Sequence, residues 1–308
     1  MAPGVIRIIH HLPGRMRLYI GEIRFRPERA AHIAALPYSP EQSRLSVSRE
    51  LMRRIVCRIV ECGSNKLMIN DINGDSVSFD AYEKMAGYYF EDVDIKPFNA
   101  YFERPATLSL LPDVQGKSVL DAGCAAGWYS NWLLEQGANV TAVDFSPNMI
   151  AMTKKRVGNK AAVRQADLHE PLSFLVDRSM DIVVSSLALH YLKTWEIVLA
   201  EFNRILKPQG LLIFSVHHPL RDFAAFPDSN YFRTEIVEEE WEMNGETVKV
   251  RFYRRSLSTM ITALLDAGLI IEKFLEPTPT RQFAELHHED YKQLTTKPHF
   301  LMIRARKS

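Results

Sequence analysis

The sequence predicts an α/β fold built on a parallel sheet, and three features of residues 76–308 predict it. Apolar stretches of strand length alternate with helical stretches, the pattern of consecutive βαβ units. The core strands are near-continuous apolar runs, as burial on both faces of a sheet requires. The first of them leads into VLDAGCAAGWYS (119–130), where a carboxylate is followed by a turn of small residues.

Residues 1–75 read as a separate small α+β segment. VIRIIHHLPGRMRLYIG (5–21) alternates as two strands about Pro13-Gly14. PERAAHIAAL (27–36) is a helix with Pro27 near its start. RELMRRIVCRIVEC (49–62) puts Leu51, Ile55, Val56, Ile59 and Val60 on one helical face. KLMINDINGDSVSF (66–79) reads as a hairpin about Asn73-Gly74.

From there the alternation is regular. The helical FDAYEKMAGYYF (79–90) leads through 98–113 to strand 117–123. Helix 131–137 and strand 139–145 follow. SPNMIAMTKKRV is a helix with Ser146 as N-cap and Pro147 in its first position. Strands 161–168 and 180–187 come next, then helix 195–206, stopped by a turn KPQG before strand 210–217. Residues 219–250 interrupt the pattern with aromatics and acids, and NGE at 244–246 marks a hairpin tip. A connection of this length suits a lid. Helix 257–268, strand 269–277 and a last strand 299–307 close the chain.

Bulk composition excludes several classes. No apolar run approaches the roughly 18 residues a membrane span needs. Arg7, His10, His11, Arg15 and Arg17 break up the apolar block that a secretory signal requires. Cys57, Cys62 and Cys124 give neither a disulfide framework nor a zinc pattern, so a reducing cytoplasm is the expected home and no metal is expected. Residues 1–66 carry 12 Arg and Lys against 5 acids, a local charge of +7, while the whole chain is at +1. That front face could meet nucleic acid, an anionic membrane or an acidic protein, or be a solvated basic surface.

The turn after strand 117–123 has the chemistry of a nucleoside site. In an open α/β sheet, ligands bind beyond the carboxyl ends of the strands. Gly123 and Gly127 let backbone pass close to a ligand. Asp144 ends the next strand, placed to accept hydrogen bonds from ribose hydroxyls. A dinucleotide fingerprint would put Trp128 where a third glycine belongs, and Trp is too large for that contact, so a nicotinamide-linked oxidoreductase is disfavoured.

Residues from about 79 to 306 resemble the class I S-adenosyl-L-methionine-dependent methyltransferases of the methyltransferase-11 type. The resemblance rests on VLDAGCAAGWYS, VTAVDFSPNMI, RQADLHEPL, MDIVVSSLALHYL and LKPQGLLIFS. It implies a Rossmann-like seven-stranded sheet of order 3-2-1-4-5-7-6 with the last strand antiparallel. It implies S-adenosyl-L-methionine as cofactor. Asp121, Gly123, Ala125 and Gly127 would line its methionine part, and Asp144 would hold its ribose. Phe145 and Met149 would flank the adenine, and Ala166, Asp167 and Leu168 would meet its edge and face. Ser185 would lie near the sulfonium, and Tyr88 or Arg104 would contact the carboxylate. Ala125 stands where the family usually has Gly, which implies a backbone there compatible with an L-residue. Separately, HHLPGR and its flanks resemble small heavy-metal-associated domains, but the paired metal-binding cysteines are missing.

His190, just past the fourth strand, is the candidate catalytic base if the acceptor must lose a proton. Tyr191, His217, His218 and Arg254 are candidate substrate contacts, with at most one of the adjacent histidines facing the pocket. Arg255 pairs with Arg254 as a possible anion contact. The strand ends SSLALHY rather than in the N/D-P-P-Y/F box, and the enzyme part has no large basic groove. Both point to a small, partly apolar acceptor rather than nucleic acid. Two alternatives stay open: a cofactor-binding sensor or scaffold without turnover, and an RNA methyltransferase recruited by the basic front segment. Oligomeric state is not legible.

Overall fold

The chain divides into two units, Met1–Ile69 and Asn70–Ser308. The computed structural model describes residues 4–11, 17–25, 78, 83, 94–226, 229–243 and 245–308. In the first unit β1 (Gly4–His11) pairs antiparallel with β2 (Arg17–Phe25), with a bulge between Arg7 and Ile9. The expected turn at Pro13-Gly14, the helices in 27–36 and 49–62, the hairpin about Asn73-Gly74 and the candidate Tyr88 lie outside the described residues. So does the helical stretch 79–90, apart from Glu83, which is helical.

The second unit holds β3 (Ser118–Ala122), β4 (Asn139–Asp144), β5 (Ala162–Gln165), β6 (Met180–Ser186), β7 (Leu206–His217), β8 (Glu235–Met243), β9 (Glu246–Arg254), β10 (Leu269–Leu275) and β11 (Phe300–Lys307). Strands β8 and β9 pair only with each other; the rest form one sheet, β5-β4-β3-β6-β7-β11-β10. Strands β3 to β7 run parallel, and β11 is antiparallel to both its neighbours. Counted along the sheet's own strands, this is the order 3-2-1-4-5-7-6.

Both faces of the sheet are covered. Side chains alternate across a strand, so Leu120, Val183, Leu212 and Phe214 enter one core while Val119, Val184 and Ile213 enter the other. The first core is closed by α4 (Glu196–Ile205) and α6 (Leu257–Asp266), through Leu199, Phe202 and Leu264. The second is closed by α2 (Trp128–Glu135), α7 (Arg281–Leu286) and α8 (His288–Leu294), through Leu133, Phe283 and Leu294. Each such buried side chain is worth about 1.5–3 kcal/mol relative to exposure. The remaining helices are α1 (Arg104–Leu108), which continues a π-type turn at Asn99–Glu103, α3 (Pro147–Val157) and α5 (Pro219–Ala225). Ser146 caps α3 as expected, its Oγ accepting from the Met149 N–H at 3.0 Å.

Three local readings differ from the sequence expectation. KPQG is a bulge within β7 rather than a turn before it. Met180 pairs with Leu206 and the next pair is Ile182 with Leu211, so the extra residues swell out, with Gln209 at φ 64°. Strand β5 stops at Gln165, because Asp167 turns the chain by accepting the His169 N–H at 2.9 Å. Helices α7 and α8, of 6 and 7 residues, are too short to show a period in the sequence. The stretch 219–250 supplies α5 and most of the β8–β9 hairpin.

Candidate functional site

Parallel strands bring the loops after β3, β4, β5, β6 and β7 to one edge of the sheet. A cavity of about 510 Å³ lies there, and residues Glu239 to Glu242 of β8 form part of its wall.

The floor is the turn after β3. Gly123 has φ 81°, and a Cβ there would stand 2.4 Å from the Ala188 Cβ, so the loop past β6 admits only glycine. Gly127, at φ 78°, caps α2 just behind the wall, and a Cβ would meet Thr153 Oγ1 at 2.8 Å. Ala125 has φ 46°, so alanine occupies the left-handed well rather than releasing the turn from it. That conformation costs an L-residue about 1–2 kcal/mol, and the neighbours hold it. The Ala125 N–H donates to Asp144 Oδ2 at 2.9 Å, and Thr153 Oγ1 donates to the Ala125 carbonyl at 2.6 Å. The Gly123 and Cys124 N–H groups both donate to the Val143 carbonyl at 2.9 Å.

Two carboxylates stand at this floor. Asp121 is 1% exposed and accepts from Ser130 Oγ at 2.5 Å; burial pushes its pKa up to about 7. Asp144 accepts from the Ser146 N–H at 2.9 Å through Oδ1, while Oδ2 holds Ala125. Burial raises its pKa, against the pull of these backbone donors. Phe145, Ala166, Asp167 and Leu168 line the wall beyond it. Met149 and Ser185 do not. Met149 is a fully buried residue of α3, and Ser185 Oγ is spent on the Ala122 carbonyl at 2.9 Å, which ties β6 to β3. Its neighbour Ser186 faces the cavity instead.

Arg104 is buried beside this floor, its guanidinium 4.2 Å from the centre of the Trp128 ring and its Nη1 donating to the Asp94 carbonyl at 3.0 Å. Glu103, which the sequence did not flag, is fully buried and lines the cavity. Its Oε1 accepts from Thr107 at 2.8 Å, Ser186 at 2.9 Å and Ser215 at 2.6 Å; its Oε2 accepts from Tyr129 at 2.9 Å. The four donors come from four separate segments, which no local motif reveals.

The far end of the cavity is built of histidines and aromatics. His190 sits in a 3₁₀ turn at Leu189–Tyr191 and is 3% exposed. Its ring stacks on His217 at 4.3 Å, and neither of its nitrogens has a hydrogen-bond partner among the described residues. Burial, with Arg221 and Arg255 nearby, lowers its pKa to about 3. His217 Nδ1 lies 3.2 Å from Arg221 Nη1; Arg can only donate, so the His217 proton is on Nε2. Burial holds His217 well below the usual histidine range. His299, a second residue that sequence reasoning passed over, shares the wall, and burial lowers it to about 3 as well. Tyr191 also lines it.

His218 faces away, as adjacent residues at a strand end must. Its Nε2 pairs with Glu276 at 2.7 Å, and its Nδ1 caps α5 by accepting the Leu220 N–H. Arg254 is off the cavity too, bound to Glu235 at 2.6 Å and to the Asn230 carbonyl at 2.7 Å, where it braces the base of the hairpin. Arg255 bonds the Leu192 carbonyl and covers the Trp195 ring at 4.4 Å. Arg221 of α5 does reach the cavity, as Lys96 and Arg104 do; it is paired with Asp222 at 2.8 Å and with Glu239 of β8 at 2.6 Å.

The wall fits a nucleoside bearing a positive charge: Glu103, Asp121, Asp144 and Asp167 line it with Phe145 and Leu168. Among the described residues no group of three or more His, Cys, Asp or Glu could hold a metal ion, and no helix is long and apolar enough to cross a membrane.

Comparison with known proteins agrees. Residues 120–214 match the family model of a methyltransferase domain. A Haemophilus influenzae protein described as uncharacterized is 29% identical over 261 residues, 79% of this chain and 98% of that one. The malonyl-[acyl-carrier protein] O-methyltransferase of Hamiltonella defensa is 31% identical over 108 residues, 35% of this chain and only 41% of its own length. The structure of an S-adenosylmethionine-dependent methyltransferase from Mesorhizobium loti superposes with TM-score 0.54 at 26% identity, covering 67% of this chain and 97% of that one. With the matched domain seated on a class I Rossmann-like sheet, the chain is an S-adenosylmethionine-dependent methyltransferase.

Proposed function

We propose that the chain methylates a small, partly apolar acceptor held at the histidine end of the cavity. The observation that carries this reading is the cavity itself. It runs from Asp144 and Phe145 to His190, His217 and His299, with β8 along one wall, and its volume of about 510 Å³ is that of a small-ligand site. The malonyl-carrier enzyme matches too little of this chain to carry its acceptor over.

In this reading Asp144 receives the ribose hydroxyls and Phe145 and Leu168 pack the adenine, with Ala166 and Asp167 at its edge. Asp121, Arg104 and the turn 123–127 hold the methionine part. The cofactor supplies a methyl group already activated for displacement, so holding the acceptor atom in line accounts for much of the rate. His190 is a poor base: taking a proton at pH 7 against a pKa of about 3 costs about 5 kcal/mol. Its unpartnered nitrogens instead serve as hydrogen-bond partners that orient the acceptor. The stretch 219–250 acts as a lid over a domain of residues 76–308, with residues 1–75 as a separate basic segment.

The test is incubation of the protein with methyl-labelled S-adenosylmethionine and cell extract, followed by separation of small metabolites, RNA and protein. Label in the small-metabolite fraction is expected. Label confined to RNA or protein contradicts the proposal.

A further inference from the structure

One buried carboxylate on the cavity wall has no part in the proposed mechanism. Glu103 is fully buried, lines the cavity, and makes no ion pair among the described residues; its partners are four neutral hydroxyls. Burying a carboxylate among neutral groups is costly, because hydroxyl dipoles replace water only in part. Such a charge persists where something else gains from it.

Its position says what gains. Two of the four donors, Ser186 and Ser215, sit at or near the carboxyl ends of β6 and β7. The third, Tyr129, is in the first turn of α2, directly after the 123–127 turn. Glu103 therefore lies on the β6–β7 side of β3, while Asp144, Phe145 and Ala166 lie on the β4–β5 side. With the ribose at Asp144, the sulfur end of the cofactor falls toward Glu103.

We propose that Glu103 is a charge-selecting residue: its carboxylate favours the cationic sulfonium of S-adenosylmethionine over the neutral thioether of S-adenosylhomocysteine, and so helps substrate cofactor displace product. The selection acts through space, since four hydroxyls already occupy the carboxylate, and its burial away from screening water lengthens its reach. The inference rests on the cofactor placement given under Proposed function.

The test measures dissociation constants of both nucleosides by calorimetry, for the full chain and for Glu103→Gln. Glu103→Met, of similar volume and without polar oxygens, gives the same reading should the glutamine variant not fold. Either variant is expected to weaken S-adenosylmethionine about tenfold relative to S-adenosylhomocysteine, while Tyr129→Phe, which keeps the charge, leaves the ratio of the two constants within about twofold. Equal weakening of both ligands in the Glu103 variants, the mark of a structural role, overturns the proposal. A wild-type protein that binds neither nucleoside refutes the cofactor site itself, which is a distinct result.

Discussion

The imidazole of His190 lies flat against that of His217, with ring centres 4.3 Å apart and planes 15° apart. Two rings so close share a site only if at least one is neutral, and burial keeps both that way. This sets a pH dependence. Below 6.5 the unfolded His190 takes up a proton that the folded ring, held near 3, refuses, so stability falls with falling pH. Between pH 7.5 and 5 the contribution is about 2 kcal/mol. Denaturant unfolding at both pH values should show the wild type losing about 2 kcal/mol more than His190→Phe. Equal losses would mean the ring is charged in the fold.

Ala125 pays for a left-handed backbone that glycine enters freely. Ala125→Gly should stabilise the protein by about 1 kcal/mol in the same unfolding assay. An unchanged or lower midpoint would show that the turn is not at φ 46°.

Gly123 and Ala188 are complementary. Gly123→Ala places a Cβ 2.4 Å from that of Ala188 and should cost about 2–3 kcal/mol from overlap and backbone strain together. Ala188→Gly in the same chain should recover the overlap part, about half. No recovery in the double variant would separate the two loops.

Arg221 ties the β8–β9 hairpin to α5, because one guanidinium bonds Glu239 of β8 and Asp222 of α5. Arg221→Met removes that tie. Amide exchange across residues 235–254 should quicken about tenfold or more, while exchange in β3 and β4 stays slow. Burial already raises Asp222 to about 6, and with its cation gone Asp222 should titrate higher still. Unchanged exchange in the hairpin would remove the lid from the account.

Much of this was legible in the sequence, for a physical reason. A parallel strand buried on both faces must be apolar throughout, so MDIVVSS and GLLIFSVH announce themselves. The nucleoside end is written locally too: Asp121, Gly123 and Asp144 sit in two short segments joined by one βαβ unit. The rest of the site is assembled from distance. Glu103 gathers donors as far as 112 residues away, and His299 reaches the cavity because β11 returns beside β7. His218 looked like a site residue because it adjoins His217 past β7, and Arg254 because an arginine pair after the 219–250 stretch could bind an anion; strand alternation turns the first away, and the Glu235 carboxylate holds the second. KPQG carries the residues of a turn, and the register of β6 against β7 absorbs it as a bulge.

The most direct test of the account is calorimetric titration of S-adenosylmethionine into the full chain and into Asp144→Ala. The side chain of Asp144 pins Ala125 and Ser146 and faces the cavity between them. We predict one binding site on the wild type and a loss of about 1–3 kcal/mol of binding free energy in the variant. Equal affinity for both would contradict the placement of the nucleoside at the end of β4.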